Sequence, residues 1–296
     1  MVISTSIKCV GILINPTKQS AEQFRKDLRS WLVKRNIEVL DTTETPIEKI
    51  FSQADLLICL GGDGTILHVA GKMIDRAVPV LGVNIGGLGF LTEVRVEELY
   101  DELKLVFSGR FEVEERMLLS ATVRWNSAPE GNVSFGEQPA KGESERRFQA
   151  LNDIVINREG LTRYMAVQID IGGERATRFF GDGVIIATPT GSTAYSLSAG
   201  GPIVHPSLDT IIVTPICPHA SALRPLVVSA EQSVRIRITC DDAREKALLT
   251  ADGQADVTID HRSVVEVTRS VNRFQLVKSS KRSYFATLRE KFKLPD

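Results

Sequence analysis

A glycine-rich loop around Asp63 carries the clearest chemical signal in the sequence. The loop, Gly61-Gly62-Asp63-Gly64-Thr65, directly follows residues 56–60, whose apolar composition is typical of a buried strand. Glycines allow backbone amides to approach phosphate oxygens, and the start of a following helix adds a partial positive charge. A carboxylate in such a loop repels phosphate unless it accepts the proton of an attacking hydroxyl or helps to hold Mg²⁺. The loop therefore predicts phosphoryl transfer, and its structural alternative is a tight turn in which Asp63 or Thr65 caps the helix.

Neighbouring residues add one candidate and exclude two common nucleotide-binding motifs. His68 lies four residues after Gly64, on roughly the same helical face, where it either reaches a phosphate or ribose or serves as a structural polar group. Six residues, rather than the four of a P-loop, separate Gly64 from Gly71-Lys72. The run Gly87-Leu88-Gly89 begins like a Rossmann fingerprint, but Thr92 stands at the position of the last glycine. ATP is therefore not bound by a Walker motif, and hydride transfer has no strong signature.

A second segment with binding chemistry covers residues 181–202. It is rich in glycine, serine and threonine, and it carries Tyr195 and Leu197 in its middle, which disfavours the alternative of a flexible linker. Small residues permit a planar ligand to approach closely, hydroxyls orient it, and Tyr195 offers a ring or a hydroxyl. The pair Asn152-Asp153 offers a carboxylate to vicinal ribose hydroxyls, although on its own this pair is better explained as a turn.

Taken together, these motifs closely resemble the NAD kinase family. The resemblance covers the glycine loop, Asn152-Asp153 and residues 82–92, 181–202, 214–219, 224–225 and 283–285. The glycine loop alone is shared with lipid kinases and phosphofructokinases, but its combination with residues 188–202 is specific. The resemblance implies a kinase that uses ATP and Mg²⁺ to phosphorylate the 2′-hydroxyl of the adenosine ribose of NAD, which gives NADP. It also implies a homodimer or homotetramer in which a neighbouring subunit completes the active site.

The resemblance also assigns roles to individual residues. Asp63 is similar to the proton acceptor of the family, and Asn152 with Asp153 is similar to the pair that binds the adenosine ribose. Phe180 departs from the pattern, because some bacterial members have an arginine there, so no ionic contact is expected from it. The further ATP-binding and dinucleotide-binding positions are Gly61, Gly62, Gly64, Thr65, His68, Arg163, Asp182, Thr193, Ala194, Tyr195, Ser196, Leu197, Ser198 and Gln254.

The elements that must position these residues are predicted from hydrophobic periodicity. The first third of the chain alternates strand and helix patterns, which predicts a parallel α/β sheet, and after Arg110 short β-rich runs predict a β-sandwich-like domain. The predicted strands of the first part are 10–14, 37–40, 55–60 and 78–83, and its helices begin near Ser20 and cover 65–76 and 96–107. The predicted strands of the second part include 111–113, 118–125, 154–156, 166–171, 184–187, 234–239 and 263–267. Residues 126–147 are predicted to form an exposed hairpin loop, and residues 284–292 a helix. These patterns give a Rossmann-like α/β domain at 1–109 with the tail 275–296, and a β-rich NAD-binding domain at 110–274.

Composition excludes several classes of function. The 296 residues have a net charge of −1, which gives no overall attraction to nucleic acid or an anionic membrane. The weakly charged residues 183–223 contain five prolines, which would break a membrane helix. Four widely spaced cysteines and an N-terminus without a secretory signal indicate a cytoplasmic protein. The alternatives to an NAD kinase are a lipid or sugar-phosphate kinase with the same glycine loop, and a non-catalytic dinucleotide-binding module.

Overall fold

The computed structural model describes residues 7–14, 19–73, 76–87, 89–126, 137–140, 142–158, 165–220, 222–239 and 246–295. The chain forms two compact units. The first consists of Met1–Glu115 and Phe274–Asp296, and the second of Arg116–Arg273. One predicted site residue, Arg163, lies outside the described residues.

The first unit is built on a parallel sheet with helices. Its elements in chain order are β1 (Cys9–Ile14), α1 (Gln19–Val33), β2 (Glu38–Asp41), α2 (Ile47–Gln53), β3 (Leu56–Gly61), α3 (Asp63–Lys72), β4 (Val80–Asn84), β5 (Val94–Arg95) and α4 (Leu99–Phe107). The parallel strands follow the order β4-β3-β1-β2, and β5 pairs with β4. Strands β3 and β4 are buried at every residue, which is why both read as continuous apolar runs in the sequence. The predicted α/β fold is confirmed.

This strand order places a topological switch point between β1 and β3. From β1 the chain continues to β2 on one side, and from β3 it continues to β4 on the other side. Open α/β sheets bind ligands in the crevice outside the carboxyl ends of the two strands at such a point. The glycine loop follows the carboxyl end of β3, so it lies at this crevice.

Three helices of the first unit differ from the prediction, and one of them is α4, which begins at Leu99 after a 3₁₀ turn at Val96–Glu98 instead of at residue 96. Helix α3 covers Asp63–Lys72, so the predicted range 65–76 began too late and ended too late. Gly62 is extended, with φ −133° and ψ −174°, which starts the helix at Asp63, and Met73 leaves the helical region at ψ 79°. Helix α2 was not predicted, because its seven residues bury only Ile50 and Phe51 and give too short a periodic pattern.

The second unit contains two antiparallel sheets. Its elements are β6 (Val113–Trp125), β7 (Glu145–Ala150), β8 (Asp153–Arg158), β9 (Met165–Ile171), β10 (Glu174–Gly181), β11 (Gly183–Ala187), α5 (Tyr195–Ser198), β12 (Thr210–Ile216), β13 (Leu226–Ser229), β14 (Val234–Thr239), β15 (Lys246–Ala251), β16 (Ala255–Asp260) and β17 (Ser263–Val277). One sheet has the order β13-β12-β11-β8-β15-β16, and β10, β9, β14, β17, β6 and β7 form the other. Residues of both sheets, including Leu119, Ile156 and Val234, share one buried apolar core. The expected β-sandwich-like architecture is confirmed.

Two details of the second unit correct the prediction. Residues 111–113 and 118–125 were predicted as two strands, but a single strand, β6, starts at Val113 and continues to Trp125. The predicted loop 126–147 ends earlier, because β7 already begins at Glu145 and the amide of Trp125 donates to the carbonyl of Ser144 at 3.0 Å. Cross-strand pairing fixed these boundaries, and local composition does not encode such pairing.

The chain returns to the first unit through the end of β17. Leu276 of this strand pairs in parallel with Val80 of β4. Helix α6 (Tyr284–Phe292) follows as predicted, and the Ser283 hydroxyl accepts a hydrogen bond from the amide of Ala286 at 3.3 Å. Among the described residues, no helix combines the length and the apolar character needed to cross a membrane.

Candidate functional site

The Asp63 carboxylate accepts hydrogen bonds from one neighbouring loop. Its Oδ1 accepts from the amides of Leu91 at 3.1 Å and Thr92 at 3.0 Å, and from the Thr92 hydroxyl at 2.9 Å. Among the described residues, its Oδ2 accepts one hydrogen bond, from the amide of Phe90 at 2.8 Å. Asp63 makes no side-chain cap to helix α3, so the capping alternative is wrong for this residue. The carboxylate instead joins the start of α3 to residues 90–92.

Close packing surrounds this carboxylate. A Cβ on Gly89 would overlap both the Asp63 Oδ1 and the Thr92 hydroxyl, so this position accepts only glycine without a shift. The Asn84 side chain braces the same loop by accepting from the amide of Gly86 at 2.5 Å and donating to the Gly87 carbonyl at 2.6 Å. The position of the carboxylate is therefore set by backbone atoms that have little room to move.

Thr65 presents an unpaired hydroxyl beside the glycine loop. Its Oγ1 is buried and has no hydrogen-bond partner in the described part of the chain. A Cβ on Gly61 would overlap this same oxygen, so the first glycine of the loop makes room for the Thr65 hydroxyl. An unsatisfied buried hydroxyl costs free energy, and a ligand that hydrogen-bonds to it removes that cost.

A cavity of about 310 Å³ opens beside this hydroxyl. Thr65 and His68 of the predicted site line it, and Lys72 from the last turn of α3 adds a positive charge. Its remaining lining residues come from β1, from the segment after β2 into the start of α2, and from α3, and they are Leu13, Ile14, Thr42, Thr43, Thr45, Pro46, Ile47 and Val69. The cavity lies where the strand order predicts a ligand crevice, and it combines apolar walls with hydroxyl groups.

In the second unit, Asp252 holds the turn that carries Asn152 and Asp153. The Asp252 carboxylate accepts from the amides of Leu151 at 2.7 Å, Asn152 at 2.8 Å and Asp153 at 2.9 Å. The amide of Asp252 in return donates to the Asp153 carbonyl at 2.9 Å. Asp252 has φ 51°, a left-handed conformation that few residues other than glycine adopt. The turn is thus fixed by a residue about 100 positions later in the chain.

A second cavity, of about 290 Å³, contains this turn. It brings together four of the predicted residues, which are Asn152, Asp153, Ala194 and Tyr195. The other lining residues are Val155, Asn157, Thr250, Asp252 and Gly253. Tyr195 is 43% exposed, so its ring is available to a ligand.

The electrostatics of this second cavity are unusual. Burial and, to a smaller extent, the charge of Asp252 together raise the pKa of the Asp153 carboxyl from 3.8 to about 7. Burial also raises the pKa of Asp252, and the three backbone amides that donate to it oppose the shift. Two carboxyl groups in one desolvated site are a common feature of functional sites, because a bound ligand can donate the hydrogen bonds that the protein does not provide.

The segment between β11 and β12 is packed against the same turn. The Thr188 hydroxyl donates to the Leu151 carbonyl at 2.5 Å and its amide donates to the Asn152 carbonyl at 2.8 Å. A Cβ on Gly191 would overlap the backbone of Asn152, so close backbone contact requires this glycine. The Ser196 hydroxyl is fully buried and is hydrogen-bonded to Thr214 at 2.9 Å. The small residues of this segment therefore serve internal packing as well as any ligand.

Several predicted ligand residues do not line either cavity. Asp182 forms an ion pair with Arg158 at 2.9 Å. Gln254 is exposed, and its backbone amide donates to the Ala251 carbonyl at 2.9 Å. The ligand roles of Asp182 and Gln254 stay predictions. The same holds for Thr193, Ser196, Leu197 and Ser198.

Other residues of the two sites were missed from the sequence. Thr42, Thr43 and Thr45 line the first cavity, and their clustering directly after a strand was an available signal. Asp252 precedes the Gly253-Gln254 pair, but nothing in its sequence position indicated that it holds a distant turn. Within the described ranges, no three or more His, Cys, Asp or Glu side chains are grouped to hold a metal ion.

Comparisons with known proteins match both units of the chain. The family model of the ATP-NAD kinase N-terminal domain matches residues 41–111, and the model of the ATP-NAD kinase C-terminal domain matches residues 151–279. A protein named NAD kinase from Syntrophotalea carbinolica is 39% identical over 96% of this chain and 98% of its own length. Another NAD kinase, from Caldanaerobacter subterraneus, is 38% identical over 96% of this chain and 99% of its own length.

Two solved structures have the same fold over nearly the whole chain. The yeast NADH kinase complexed with NADH has a TM-score of 0.84 and 27% identity, with 98% of this chain and 89% of that chain covered. An NAD kinase from Archaeoglobus fulgidus in complex with ATP has a TM-score of 0.73 and 26% identity, with 96% of this chain and 97% of that chain covered.

Proposed function

The chain belongs to the ATP-NAD kinase family and phosphorylates NAD with ATP, and we propose that Asp63 accepts the proton of the attacking ribose hydroxyl. The observation that carries this proposal is the unequal use of the two carboxylate oxygens. Within the part of the chain that the structure describes, Oδ1 accepts three hydrogen bonds, whereas Oδ2 accepts one, from the amide of Phe90. Each carboxylate oxygen has about two lone-pair positions, so Oδ2 retains the capacity to accept a hydroxyl proton.

The reaction asks for positioning more than for a strong base. The 2′-hydroxyl oxygen of the adenosine ribose attacks the γ-phosphorus, the bond from that phosphorus to the β–γ bridging oxygen breaks, and ADP leaves. The hydroxyl proton passes to Asp63 late, because the loose transition state places little charge on the nucleophile. Backbone amides hold the carboxylate in one orientation, and this order favours a productive geometry.

We place ATP in the cavity beside Thr65. Support comes from its position at the carboxyl ends of β1 and β3, from the unpaired Thr65 hydroxyl, and from the positive charge of Lys72. The 10-residue helix α3 begins at the glycine loop, and its partial positive charge favours phosphate there. His68 and the threonine hydroxyls of residues 42–45 supply further polar contacts for the nucleotide.

We assign the adenosine part of NAD to the cavity that contains Asn152 and Asp153. Vicinal ribose hydroxyls donate well to a carboxylate, and the Asp153 carboxyl is buried where such donors would lower its cost of ionisation. The exposed ring of Tyr195 offers a face on which the adenine stacks. Ala194 leaves space beside this ring.

Mg²⁺ enters this scheme with ATP. Magnesium prefers octahedral oxygen coordination and usually binds through substrate phosphates, water and one or two carboxylates. The described residues that line the first cavity include threonines but no carboxylate, so Mg²⁺ would be held there mainly by the ATP phosphates and water. The ion neutralises charge on the phosphates when it is bound.

The two alternatives that the sequence left open are disfavoured. A lipid or sugar-phosphate kinase that shares only the glycine loop would not carry a second unit that matches the NAD kinase C-terminal domain over residues 151–279. A non-catalytic dinucleotide-binding module is disfavoured because residues 41–111 match the N-terminal domain of the ATP-NAD kinases as well.

The direct test combines the chain with NAD, ATP and Mg²⁺ and follows NADP⁺ with an NADP-specific dehydrogenase. The wild-type chain is expected to form NADP⁺, and Asp63→Asn is expected to lose turnover by at least about 10²-fold while it folds normally. Asp101→Asn is the matched control, because it makes the same change of side chain at an exposed position of the same unit. Absence of NADP⁺ with the wild-type chain, or full turnover by Asp63→Asn, would contradict the proposal.

Assembly and location complete the proposal. We propose a homodimer or homotetramer in the cytoplasm, in which a neighbouring subunit completes the active site. Reduced thiols fit that compartment, and Cys9 and Cys59 are free and buried. Light scattering of the purified chain measures the mass of the oligomer. If the specific activity stays unchanged when dilution lowers this mass to that of a monomer, a site shared between subunits is excluded.

A further inference from the structure

The C-terminal helix α6 contacts Phe90, a residue whose amide donates to the proposed proton-accepting oxygen. Phe90 supplies the amide that donates to Oδ2 of Asp63 at 2.8 Å. The ring of Phe90 lies 5.8 Å from the ring of Phe292 and 6.5 Å from the ring of Tyr284, between ring centroids. These distances are typical of favourable aromatic pairs. The two rings of α6 therefore hold the side chain of the residue whose backbone orients Oδ2.

Polar contacts fix the segment that leads into α6. The Arg282 guanidinium donates to the Glu98 carboxylate at 2.6 and 3.1 Å and to the Glu93 carbonyl at 2.8 Å. The buried Glu102 carboxylate accepts from the amide of Ser280 at 3.0 Å and from its hydroxyl at 2.8 Å. Bidentate and buried contacts of this kind hold a defined geometry. The start of α6 is thus anchored to α4 and to the turn before it.

A second contact lies further along the helix. Glu290 of α6 pairs with Arg95 at 3.3 Å, and Arg95 is the last residue of β5, three positions after Thr92 of the loop that holds Asp63. Both side chains are about half exposed, so this ion pair adds little free energy. The aromatic contacts are the ones that bear on Phe90.

We propose that α6 is a positioning element of the catalytic carboxylate, with Phe292 as a positioning residue that acts through Phe90 on Asp63. This inference rests on the proposed role of Asp63. Phe292 lies 229 positions after Asp63 in the chain and touches neither substrate in this scheme, so its effect reaches the reaction only through the loop. A shift of the Phe90 amide turns Oδ2 away from the ribose hydroxyl, and a misplacement of about 1 Å can cost up to about 10²-fold in rate.

The test separates positioning from a general effect on stability. Phe292→Ala is expected to lower kcat by about tenfold to a hundredfold, with KM values for ATP and NAD changed by less than about threefold. Phe292→Tyr, which keeps the ring, is expected to restore most of kcat. Leu294→Ala is the matched control, because it removes an exposed apolar side chain two residues beyond Phe292.

A double-mutant cycle with Asp63→Asn gives the decisive result. If Phe292 acts through the carboxylate, Phe292→Ala lowers the residual rate of Asp63→Asn by less than about twofold, because effects through one group are not additive. An equal loss in both backgrounds would overturn the inference while leaving the role of Asp63 intact. Full turnover by Asp63→Asn would overturn both. If Phe292→Ala does not fold, Phe292→Leu replaces it in the double-mutant cycle, because leucine keeps apolar volume without the ring.

Discussion

At the scale of single residues, two aspartates do different work because their surroundings differ. Asp63 accepts four hydrogen bonds from residues 90–92, and this arrangement holds its carboxylate in one orientation. Asp153 is 6% exposed, and burial raises the pKa of its carboxyl to about 7. The first carboxylate is suited to receive a proton in a fixed direction. The second lies in a buried site where the hydroxyl groups of a ligand can donate hydrogen bonds to it.

The pKa of Asp153 leads to a prediction about stability. Because the folded pKa of about 7 lies above the unfolded value of 3.8, the folded chain keeps a proton between these pH values that the unfolded chain has lost. The free energy of unfolding therefore falls as pH rises from about 4 to about 7. Asp153→Asn removes the destabilising effect of the ionised carboxylate. We therefore expect this variant to be more stable than wild type at pH 8 by up to about 4 kcal/mol, because a difference of one in pKa corresponds to about 1.4 kcal/mol.

Urea denaturation of the ligand-free chain at pH 4, 6 and 8 measures this difference. The gap between Asp153→Asn and wild type should narrow towards zero as pH falls to about 4. Asp101→Asn, at an exposed position, should differ from wild type by no more than about 0.5 kcal/mol at each pH. A gap that stays constant over this range would contradict the assigned pKa shift.

Tyr195 allows a prediction about binding. Loss of a stacking ring is worth about 0.5–1.5 kcal/mol, so Tyr195→Ala should weaken NAD binding by roughly threefold to tenfold. Affinity for a non-hydrolysable ATP analogue should stay unchanged, and Tyr195→Phe should bind NAD nearly as well as wild type. Calorimetric titration measures both ligands. Unchanged NAD affinity in Tyr195→Ala would assign the ring to packing alone.

At the scale of elements, the loop between β4 and β5 is as important as the glycine loop itself. The glycine loop supplies Asp63, but the amides and the hydroxyl that orient it come from residues 90–92. Gly89 permits the two to meet, because any side chain there would overlap the carboxylate. The reactive group thus depends on two loops that are brought together by the pairing of β3 with β4.

Substitution of the two neighbouring glycines tests this dependence. Gly89→Ala is expected to displace Asp63 and to lower kcat by about tenfold to a hundredfold. Gly87→Ala is the matched control, since a Cβ there meets nothing within 4 Å. Steady-state kinetics and thermal unfolding of both variants measure the effect. Equal turnover of the two variants would show that the close contact does not control the carboxylate.

At the scale of the whole molecule, the two substrates are assigned to different units. The ATP cavity is built from β1, α3 and the segment after β2, and the adenosine cavity from elements of the second unit. Binding of a ligand suppresses local opening of the backbone that it contacts. Each substrate should therefore protect its own set of amides.

Hydrogen exchange measured by mass spectrometry tests this division. A non-hydrolysable ATP analogue is expected to slow exchange in residues 42–47 and 63–72, and NAD in residues 151–157 and 250–253. Strand β14 (Val234–Thr239), which lines neither cavity, serves as an internal reference for effects that are not local. Protection of residues 151–157 by the ATP analogue alone would contradict the assignment of the two cavities.

Much of this protein was predictable from local sequence. Continuous apolar runs identified the buried strands β3 and β4, helical periodicity identified α1, α4 and α6, and the glycine loop after a strand located Asp63. These features depend on residues within a few positions of one another. The family resemblance added NAD as the acceptor, and the comparisons confirmed it.

Tertiary structure decided the features that depend on distant residues. Nothing near Asp63 in the chain indicates that residues 90–92 orient it, and nothing near Asn152 indicates that Asp252 holds its turn. Helix boundaries at Asp63 and Lys72 followed from backbone geometry rather than from periodicity. The sequence by itself determined which residues have the chemistry to transfer a phosphoryl group. Only the fold decided which backbone amides point at them, because a hydrogen bond needs atoms within about 3 Å, and sequence spacing does not specify that proximity.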